Sequence, residues 1–420
     1  MKKQNTKTAA TSRVNWEHLE FWVREQIQNF IQRVLEEEVT EFLGREKYER
    51  KEEIDLTQGY RNGYGKTRNL TLSCGTVKLR RPRIRGLEER FESHILPLFA
   101  RRTKEYSDLL PDLYLHGLAH GDFELALRGL LGEGAPLSAS TVARLKEKWE
   151  AEWKAWSSRR LDYLKPVYLW VDGVYVKAGL EKEKAAVLVV IAGLSDGSKA
   201  IVYLDSGYRE SIESWSEVLR DLRDRGLREP KLVIGDGHLG IWGALRNVFP
   251  GTAEQRCWNH RIINVLDRIP KKKQKEAKEK LKVIPYAETV EEAERLKKKF
   301  KSWSEENGFK RAATLLDEDW ERMISFYNFP KEHWQHIRTT NVVESPFATL
   351  RIRTNAAKRF KKVENAKAVI WKMMMVAEKR FRRLNAPHLL EMVYSGVNFR
   401  DGITLKEKEE TIKDDQEEVA

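Results

Sequence analysis

Four apolar, β-branched segments in the middle of the chain most strongly constrain its fold. An amphipathic segment with a helical pattern, residues 210–227, separates the third from the fourth. Short β-branched runs predict buried strands, and three successive strands followed by a helix and a further strand predict an α/β arrangement with mixed strand pairing. The four segments are VYLWVDGVYVK (167–177), AAVLVVIAGL (185–194), KAIVYLD (199–205) and KLVIGD (231–236).

Two of these predicted strands carry an aspartate. Asp172 lies inside the first strand among apolar neighbours, and Asp236 ends the fourth. A carboxylate in such a setting is unfavourable unless it is hydrogen-bonded, paired or bound to a metal. Both are therefore candidate functional residues. The alternatives are that Asp172 is a buried, hydrogen-bonded side chain and that Asp236 caps a helix starting near Leu239.

A third candidate acid lies in the segment TTNVVESPFATLR. Its polar start predicts the beginning of a helix, on which Glu344 and Arg351 share one face. Taken alone, Glu344 is better explained as an exposed glutamate in the first turn of that helix. Mg²⁺ is usually bound by one or two carboxylates together with phosphate oxygens and water, so Asp172, Asp236 and Glu344 together suit that ion.

The amino-terminal part predicts two smaller regions. Residues 51–100 alternate polar and apolar positions around glycine turns, which predicts a small β-rich region with a basic run at 78–85. Within that run Arg80, Arg81 and Arg83 are candidate DNA contacts, and the alternative is an edge strand protected by charge. Residues 1–50 predict a helical region, because apolar residues recur every four positions at Leu19, Val23, Ile27, Ile31 and Leu35.

Residues 101–160 predict a helix, a glycine-rich turn and a second helix, which is the outline of a helix-turn-helix DNA-binding domain. Arg144 and Lys148 are the candidate DNA contacts of its second helix. A helical hairpin that does not touch DNA is the commoner alternative.

The carboxyl-terminal half predicts mainly helices. A lysine-rich stretch, residues 262–337, contains no convincing strand and is interpreted as a helical insertion. Residues 338–400 contain the predicted Glu344 helix and a final helix, and residues 401–420 are interpreted as a disordered acidic tail.

Charge and cysteine content restrict the partners and the compartment. Lys and Arg total 77 against 64 Asp and Glu, a net charge of +13, which favours a polyanionic partner such as DNA over a merely basic surface. Only two cysteines occur, so we expect a reducing cytoplasm. No secretory signal or long apolar run is visible, so no membrane association is expected.

Cys257 and His260 form a C-x-x-H pair at the end of a predicted strand and in the following helix. Such a pair can begin a zinc site, but no second pair of ligands stands at a suitable spacing. We therefore expect both residues to brace the structure or to orient DNA, without zinc.

Four segments of the chain resemble the mutator-type DDE transposases of bacterial insertion sequences. They are the segments that contain Asp172, Asp236, Cys257 with His260, and Glu344. The amino-terminal segments EEEVTEFLGREKYER and YRNGYGKTRNLTL resemble that family too. The resemblance implies an RNase H-like catalytic core in residues 161–261 and 338–400, interrupted by the all-helical insertion. It also implies that the three acids are the catalytic metal ligands.

As a function, the resemblance implies a DNA transposase that binds the terminal inverted repeats of its element, cleaves at the ends and joins 3′-hydroxyls to target DNA. Mg²⁺, for which Mn²⁺ substitutes, is the implied cofactor. A homodimer working at the bacterial nucleoid is the implied form. Arg351 would neutralise phosphate charge, and His238 either orients a phosphate or water or has no catalytic task. The family often has Asn where this chain has Phe347, so the role of that position is open.

Two other functions remain open from the sequence. Another RNase H-like nuclease, such as a junction resolvase, would use similar carboxylates but would have less need of amino-terminal modules for an element end. A catalytically inert DNA-binding regulator would need no paired acids in strands.

Overall fold

The chain divides into two units, Met1–Arg144 and Leu145–Ala420. His238, most of the predicted helix-turn-helix turn and residues 407–420 of the predicted tail lie outside the described residues. The computed structural model describes residues 18–49, 59–87, 91–97, 100, 102–115, 139–177, 184–207, 211–237, 239–357, 360 and 362–406.

The first unit packs a long helix against a small β region. Helix α1 ends at Gly44, whose positive φ of 61° is a common helix-ending conformation. Strands β2 and β3 form an antiparallel hairpin, and β1 pairs antiparallel with β4. A small apolar core lies between α1 and the strands and consists of Leu35, Leu70, Val77, Leu79 and Leu96. The elements are α1 (Leu19–Leu43), β1 (Tyr60–Tyr64), β2 (Arg68–Leu72), β3 (Gly75–Leu79), β4 (Pro82–Arg85) and α2 (Lys104–Leu115).

A five-stranded mixed sheet forms the centre of the second unit. Its strand order is β7-β6-β5-β8-β9, with antiparallel β7-β6-β5 and parallel β5-β8-β9. The mixed α/β pairing predicted from the sequence is therefore confirmed. The strands are β5 (Pro166–Lys177), β6 (Lys184–Leu194), β7 (Lys199–Gly207), β8 (Leu232–Gly235) and β9 (Ala253–Arg256).

Helices cover the sheet because its strands are apolar on both faces. Ser211 caps α4 by accepting a hydrogen bond from the Ser214 N–H at 3.2 Å. Trp215 of α4 and Trp242 of α5 are both buried in one apolar core with side chains of the sheet. Helix α3 is fixed to the sheet by the Trp153 indole, which donates to the Leu204 carbonyl at 3.0 Å. These helices are α3 (Ala139–Ser157), α4 (Ile212–Asp224) and α5 (Leu239–Val248).

Residues 262–337 are all described, and they form helices and turns without a strand. The predicted boundary at 262 falls inside α6, which already begins at Trp258. Short 3₁₀ helices lie at Ile284–Tyr286, Ser325–Asn328 and Lys331–His333. The α-helices are α6 (Trp258–Leu266), α7 (Lys271–Lys282), α8 (Val290–Glu306), α9 (Lys310–Asp317), α10 (Trp320–Ile324) and α11 (Trp334–Ile337).

A network of charges joins these helices to the sheet. Asp319 bonds to Arg256 of β9, to Arg322, and to Arg261 of α6 at 2.9 Å. Arg322 also pairs with Glu254. Because Arg261 is only 1% exposed, removal of Asp319 would leave this buried charge with only the more distant carboxylate of Glu318, 3.8 Å away, to compensate it.

The remaining elements return to the sheet. Helix α12 packs against β5 and β6, and α13 packs against β7. Beyond them, residues 399–404 form a hairpin, so the predicted disordered tail from 401 starts too early. Asp401 and Gly402 both have positive φ, as a tight hairpin turn requires, and the Gly402 N–H donates to the Tyr327 carbonyl. The elements are α12 (Asn341–Ala357), α13 (Val363–Glu378), α14 (Pro387–Tyr394), β10 (Phe399–Arg400) and β11 (Ile403–Thr404).

Within the described ranges, no helix is both long and apolar enough to span a bilayer.

Candidate active site

The register of the sheet places Asp172 and Asp236 at matching positions. Strands β5 and β8 are parallel neighbours, and Trp170 lies opposite Ile234. Each aspartate follows two residues later on its own chain segment. Both side chains are half-buried, whereas the strand residues before them are buried. The two aspartates therefore occupy matching positions on neighbouring strands, at the point where β8 ends and β5 continues to Lys177.

The turn after Asp236 requires glycine. Gly237 has a φ of 99°, which side-chain-bearing residues rarely adopt. A β-carbon at this position would lie 2.2 Å from Nε of Arg256. The arginine thus packs directly against the turn that follows Asp236.

Cys257 connects the next strand to the end of β8. Its N–H donates to the carbonyl of Gly235 at 2.8 Å, immediately before Asp236. Its side chain is fully buried at the start of α6. His260 lies one turn further along α6 and is 33% exposed.

Thr340, which directly precedes α12, lies between Cys257, His260 and Glu344. Its hydroxyl oxygen is 3.1 Å from the Cys257 sulfur and 3.5 Å from Nδ1 of His260, and it hydrogen-bonds Oε1 of Glu344. Its backbone N–H also donates to the Cys257 sulfur at 3.3 Å. One buried hydroxyl therefore contacts all three side chains.

Two further contacts fasten the start of α12 to α6. The Trp258 N–H donates to the carbonyl of Arg338 at 3.1 Å, and Nδ2 of Asn259 donates to Oδ1 of Asn341 at 3.0 Å. Since α12 also packs on β5, the helix that carries Glu344 is held against the strand that carries Asp172.

The electrostatics of His260 follow from these neighbours. The hydrogen bond with the Cys257 side chain, opposed by burial and supported by the carboxylates of Glu344 and Asp236, raises the pKa of His260 to about 9. His260 is therefore a cation at neutral pH. Nδ1 of His260 and Oε1 of Glu344 are 3.9 Å apart.

Other candidates from the sequence lie apart from this cluster or outside the described residues. Arg351 is exposed on α12, about 10 Å along the helix axis from Glu344 at 1.5 Å per residue. Phe347 is 2% exposed, so the position where the family often has Asn is here part of the apolar core. His238 is the candidate outside the described ranges.

The basic candidates of the first unit lie around a surface groove of about 560 Å³. Arg81 and Arg83 line it, while Arg80 is exposed with its guanidinium 5.1 Å from the ring centre of Tyr64. Three further basic residues, which the sequence analysis did not name as DNA contacts, also line the groove. They are Lys66, Arg68 and Arg85.

Arg144 and Lys148 are both exposed on α3. Lys148 lies 3.8 Å from Glu152, which also pairs with Lys372 at 2.7 Å. The charge of Lys148 is therefore partly compensated by Glu152 of the same helix.

Two metal chemistries can be compared with the side chains present. Asp172, Asp236 and Glu344 offer only oxygen donors, which suits Mg²⁺. The donor atoms of Cys257, His260 and Glu344 lie within 4.8 Å of one another, a spacing that would suit a transition metal. The Thr340 hydroxyl already contacts each of those three atoms, so a metal there would have to displace it.

Sequence reasoning missed two residues of this site. Thr340 stands in the sequence only as part of the polar start of a helix, and TTN before the helix was the available signal. The importance of Arg256 could not be predicted, because its partner Asp319 is remote in the sequence.

Comparison with known proteins matches residues 1–383 to the family described as Transposase, Mutator family. The transposase for insertion sequence element IS6120 of Mycolicibacterium smegmatis is 44% identical over 302 residues, covering 71% of this chain and 93% of that protein. The transposase for IST2 of Acidithiobacillus ferrooxidans is 39% identical over 300 residues, covering 70% and 99%.

Among solved structures, the Drosophila P element transposase strand transfer complex aligns with 68% of this chain and 84% of that chain. Its sequence identity is 14% and its TM-score is 0.29. The family match and the two relatives agree over most of the chain. The chain therefore belongs to the Mutator family of transposases.

Proposed function

We propose that this transposase cleaves DNA at the ends of its own insertion sequence and joins the resulting 3′-hydroxyls to DNA by metal-dependent phosphoryl transfer. One observation carries the proposal: Asp172 and Asp236 occupy matching positions on two neighbouring strands, and Glu344 is tied to the residues beside Asp236 through Thr340 and Cys257. The mixed sheet with helices between the second and third acid supports an RNase H-like core with a helical insertion.

In this proposal Asp172, Asp236 and Glu344 hold Mg²⁺, and Mn²⁺ can take its place as the cofactor. When bound, the metal would supply activation of the attacking oxygen and stabilisation of the leaving 3′-oxygen for an in-line displacement. Thr340 holds one oxygen of Glu344 in place, and the His260 cation lies beside the acids, where it is suited to contact a phosphate. Arg351 extends the positive charge along α12.

The DNA partner follows from the family and from charge. The relatives are named as transposases of insertion sequence elements, and we infer that this chain recognises the terminal inverted repeats of its element and a target duplex. The basic groove of the first unit and the net charge of +13 support phosphate binding there. Arg144 and Lys148 are further proposed contacts.

A homodimer is the proposed assembly, because two element ends must be processed together. Helix α1 offers a surface for it, since four aromatic side chains of this helix are exposed and their burial would be favourable. They are Phe21, Trp22, Phe30 and Phe42, which are 69%, 43%, 57% and 49% exposed.

The test separates chemistry from binding. Asp172→Asn, Asp236→Asn and Glu344→Gln should each abolish cleavage and joining of element-end DNA in Mg²⁺, with end binding nearly unchanged. Asp224→Asn, at an exposed position, is the matched control and should remain active. Full strand transfer by any of the three variants would overturn the site assignment. Preference for four-way junctions over element ends would favour a resolvase instead.

A further inference from the structure

A groove of about 510 Å³ borders Glu344 on the side of the helical insertion. It lies within the second unit and is lined by His260 and Glu344, by Lys278 and Lys282 of α7, and by Tyr286. Its volume is in the range of about 300–1,000 Å³ that is typical of sites for small organic groups. The groove therefore joins the proposed catalytic site to the first helices of the insertion.

The ring of Tyr286 in this groove is exposed to solvent but is held in place by a neighbouring side chain. Its side chain belongs to the 3₁₀ helix that follows α7, and the residue is 71% exposed. The guanidinium of Arg338 lies 4.2 Å from the ring centre and also donates to the carbonyl of Pro285 at 2.5 Å. This arginine holds the ring while most of the side chain stays accessible, as in aromatic platforms on which a base can stack.

The rest of the lining matches the two halves of a nucleotide. Ile262, Ile263 and Leu266 of α6 provide apolar surface, and Ile263 is 53% exposed. Lys278 and Lys282 are exposed cations with no ion pair to any side chain in the described ranges. Apolar and aromatic faces suit a base, and the lysines suit the phosphates on either side of it.

We propose that this groove binds one unstacked base of the DNA strand beside the phosphate that is cleaved, with Tyr286 as its stacking platform. The proposal rests on the proposed transposase chemistry at Glu344. In a duplex both faces of a base are covered by its neighbours, so only a base turned out of the stack can reach the ring. Its capture would fix the strand next to the carboxylates, and Lys278 and Lys282 would hold the adjoining phosphates.

The experiment uses the full chain and an element-end duplex in which each base near the cleaved phosphate is replaced, one at a time, by an abasic site. Tyr286→Ala should lower the cleavage rate about 5- to 150-fold, the range set by loss of one base–aromatic stack, while Tyr286→Phe should stay near wild type. At one position the abasic site should restore Tyr286→Ala toward wild type, because the enzyme no longer has to unstack a base there. Lys278→Gln should weaken binding and should not be restored by any abasic site.

Permanganate oxidation of a thymine that is placed at the restored position, and is base-paired in the free duplex, gives a readout independent of cleavage. In the complex with the catalytically inactive Asp172→Asn protein, that thymine should become reactive. The proposal is overturned if Tyr286→Ala cleaves like wild type, or if its defect is the same on every abasic substrate. If instead the wild-type protein fails to cleave element ends at all, the proposed function itself is wrong.

Discussion

The hydroxyl oxygen of Thr340 lies 3.1 Å from the buried sulfur of Cys257, and its backbone N–H lies 3.3 Å from the same atom. Cys257 is in turn bonded through its N–H to the residue before Asp236. Because α12 begins directly after Thr340, these contacts set the distance between the strand end that carries Asp236 and the helix that carries Glu344.

Thr340→Val should lower the cleavage rate by about 100-fold, the effect of misplacing a catalytic group by about 1 Å. Valine keeps the shape and the backbone N–H but removes the hydroxyl that holds Glu344. Loss of the hydrogen bonds should reduce the free energy of unfolding by only about 1–2 kcal/mol. Single-turnover cleavage rates and urea unfolding measure the two effects.

Thr340→Ser is the matched control, because it keeps the hydroxyl and removes only a methyl group. It should retain activity near that of the native chain. Equal activity of the valine and serine variants would show that the hydroxyl does not position Glu344.

Purified protein should hold no stoichiometric zinc, because the Thr340 hydroxyl contacts the Cys257, His260 and Glu344 donors that a metal would bind. Cys257→Ser should fold, whereas His260→Ala should lose activity because DNA or the neighbouring carboxylate is misplaced. Elemental analysis measures the metal content, and circular dichroism and cleavage assays follow the variants. One tightly held zinc per chain, with unfolding on chelation, would contradict this prediction.

The sheet was predictable because its signal is local. Four of its five strands are short apolar runs, and an acid such as Asp172 within one is conspicuous against that background. Glu344 differs, since a glutamate in the first turn of a helix is ordinary. The sequence offered it as a third acid for Mg²⁺ and through the family resemblance, and the packing of α12 on β5 relates it to Asp172 in the fold.

Thr340 and Tyr286 could not be chosen from the sequence for a different reason. A threonine before a helix looks like an ordinary cap, and a tyrosine after a lysine-rich helix looks like a surface residue. Their significance comes from partners that fold close to them, namely Cys257 for Thr340 and Arg338 for Tyr286. Such long-range pairs have no periodicity for a sequence pattern to detect.

Gly237→Ala should reduce cleavage about 100-fold, because an added β-carbon would meet Arg256 and shift the turn that holds Asp236. Strain from the φ of 99° should add about 1–2 kcal/mol of destabilisation. Gly308→Ala is the matched control, since Gly308 has a φ of 81° and no atom within 4 Å of an added β-carbon. It should be destabilised by the strain alone and remain active, and equal cleavage by the two variants would contradict the prediction.

A triple variant in which Arg80, Arg81 and Arg83 are replaced by Gln should show a shallower salt dependence of DNA binding. The slope of log K against log salt should fall in magnitude by about 0.9 for each phosphate of duplex DNA that the protein no longer neutralises. Arg81 and Arg83 should account for most of the change, because they line the basic groove and Arg80 does not. Fluorescence anisotropy with element-end DNA over a range of salt concentrations measures the slope.

Arg33→Gln tests whether removal of any positive charge has this effect. Arg33 is 67% exposed and lies 3.6 Å from Glu37, so its charge is already partly compensated and the slope should stay the same. An unchanged slope in the triple variant would mean that the basic run is an edge strand protected by charge.

The carboxylate of Asp319 should make the second unit sensitive to acid. Burial opposes its ionisation, but Arg256, Arg322 and Arg261 outweigh burial and lower the pKa of Asp319 below its usual value. A group whose pKa is lowered in the folded state contributes stability above its unfolded pKa, and that contribution disappears as the pH falls through the folded pKa. The stabilisation is therefore complete at neutral pH and disappears in acid below about pH 4, the usual aspartate pKa.

Asp319→Asn should therefore lower the free energy of unfolding at pH 7 by about 3–5 kcal/mol, because it leaves the buried Arg261 without its nearer charged partner. Asparagine tolerates the positive φ of 61° at this position, so the backbone should not change. Thermal melts at pH 7 and at successively lower pH should show the difference from the native chain shrinking, since protonated Asp319 resembles asparagine. Glu318→Gln, whose side chain is 57% exposed, should cost at most about 1 kcal/mol at any pH. A deficit of Asp319→Asn that stays constant as the pH falls would show that shape or hydrogen bonding, rather than the charge of Asp319, stabilises the junction between β9 and α10.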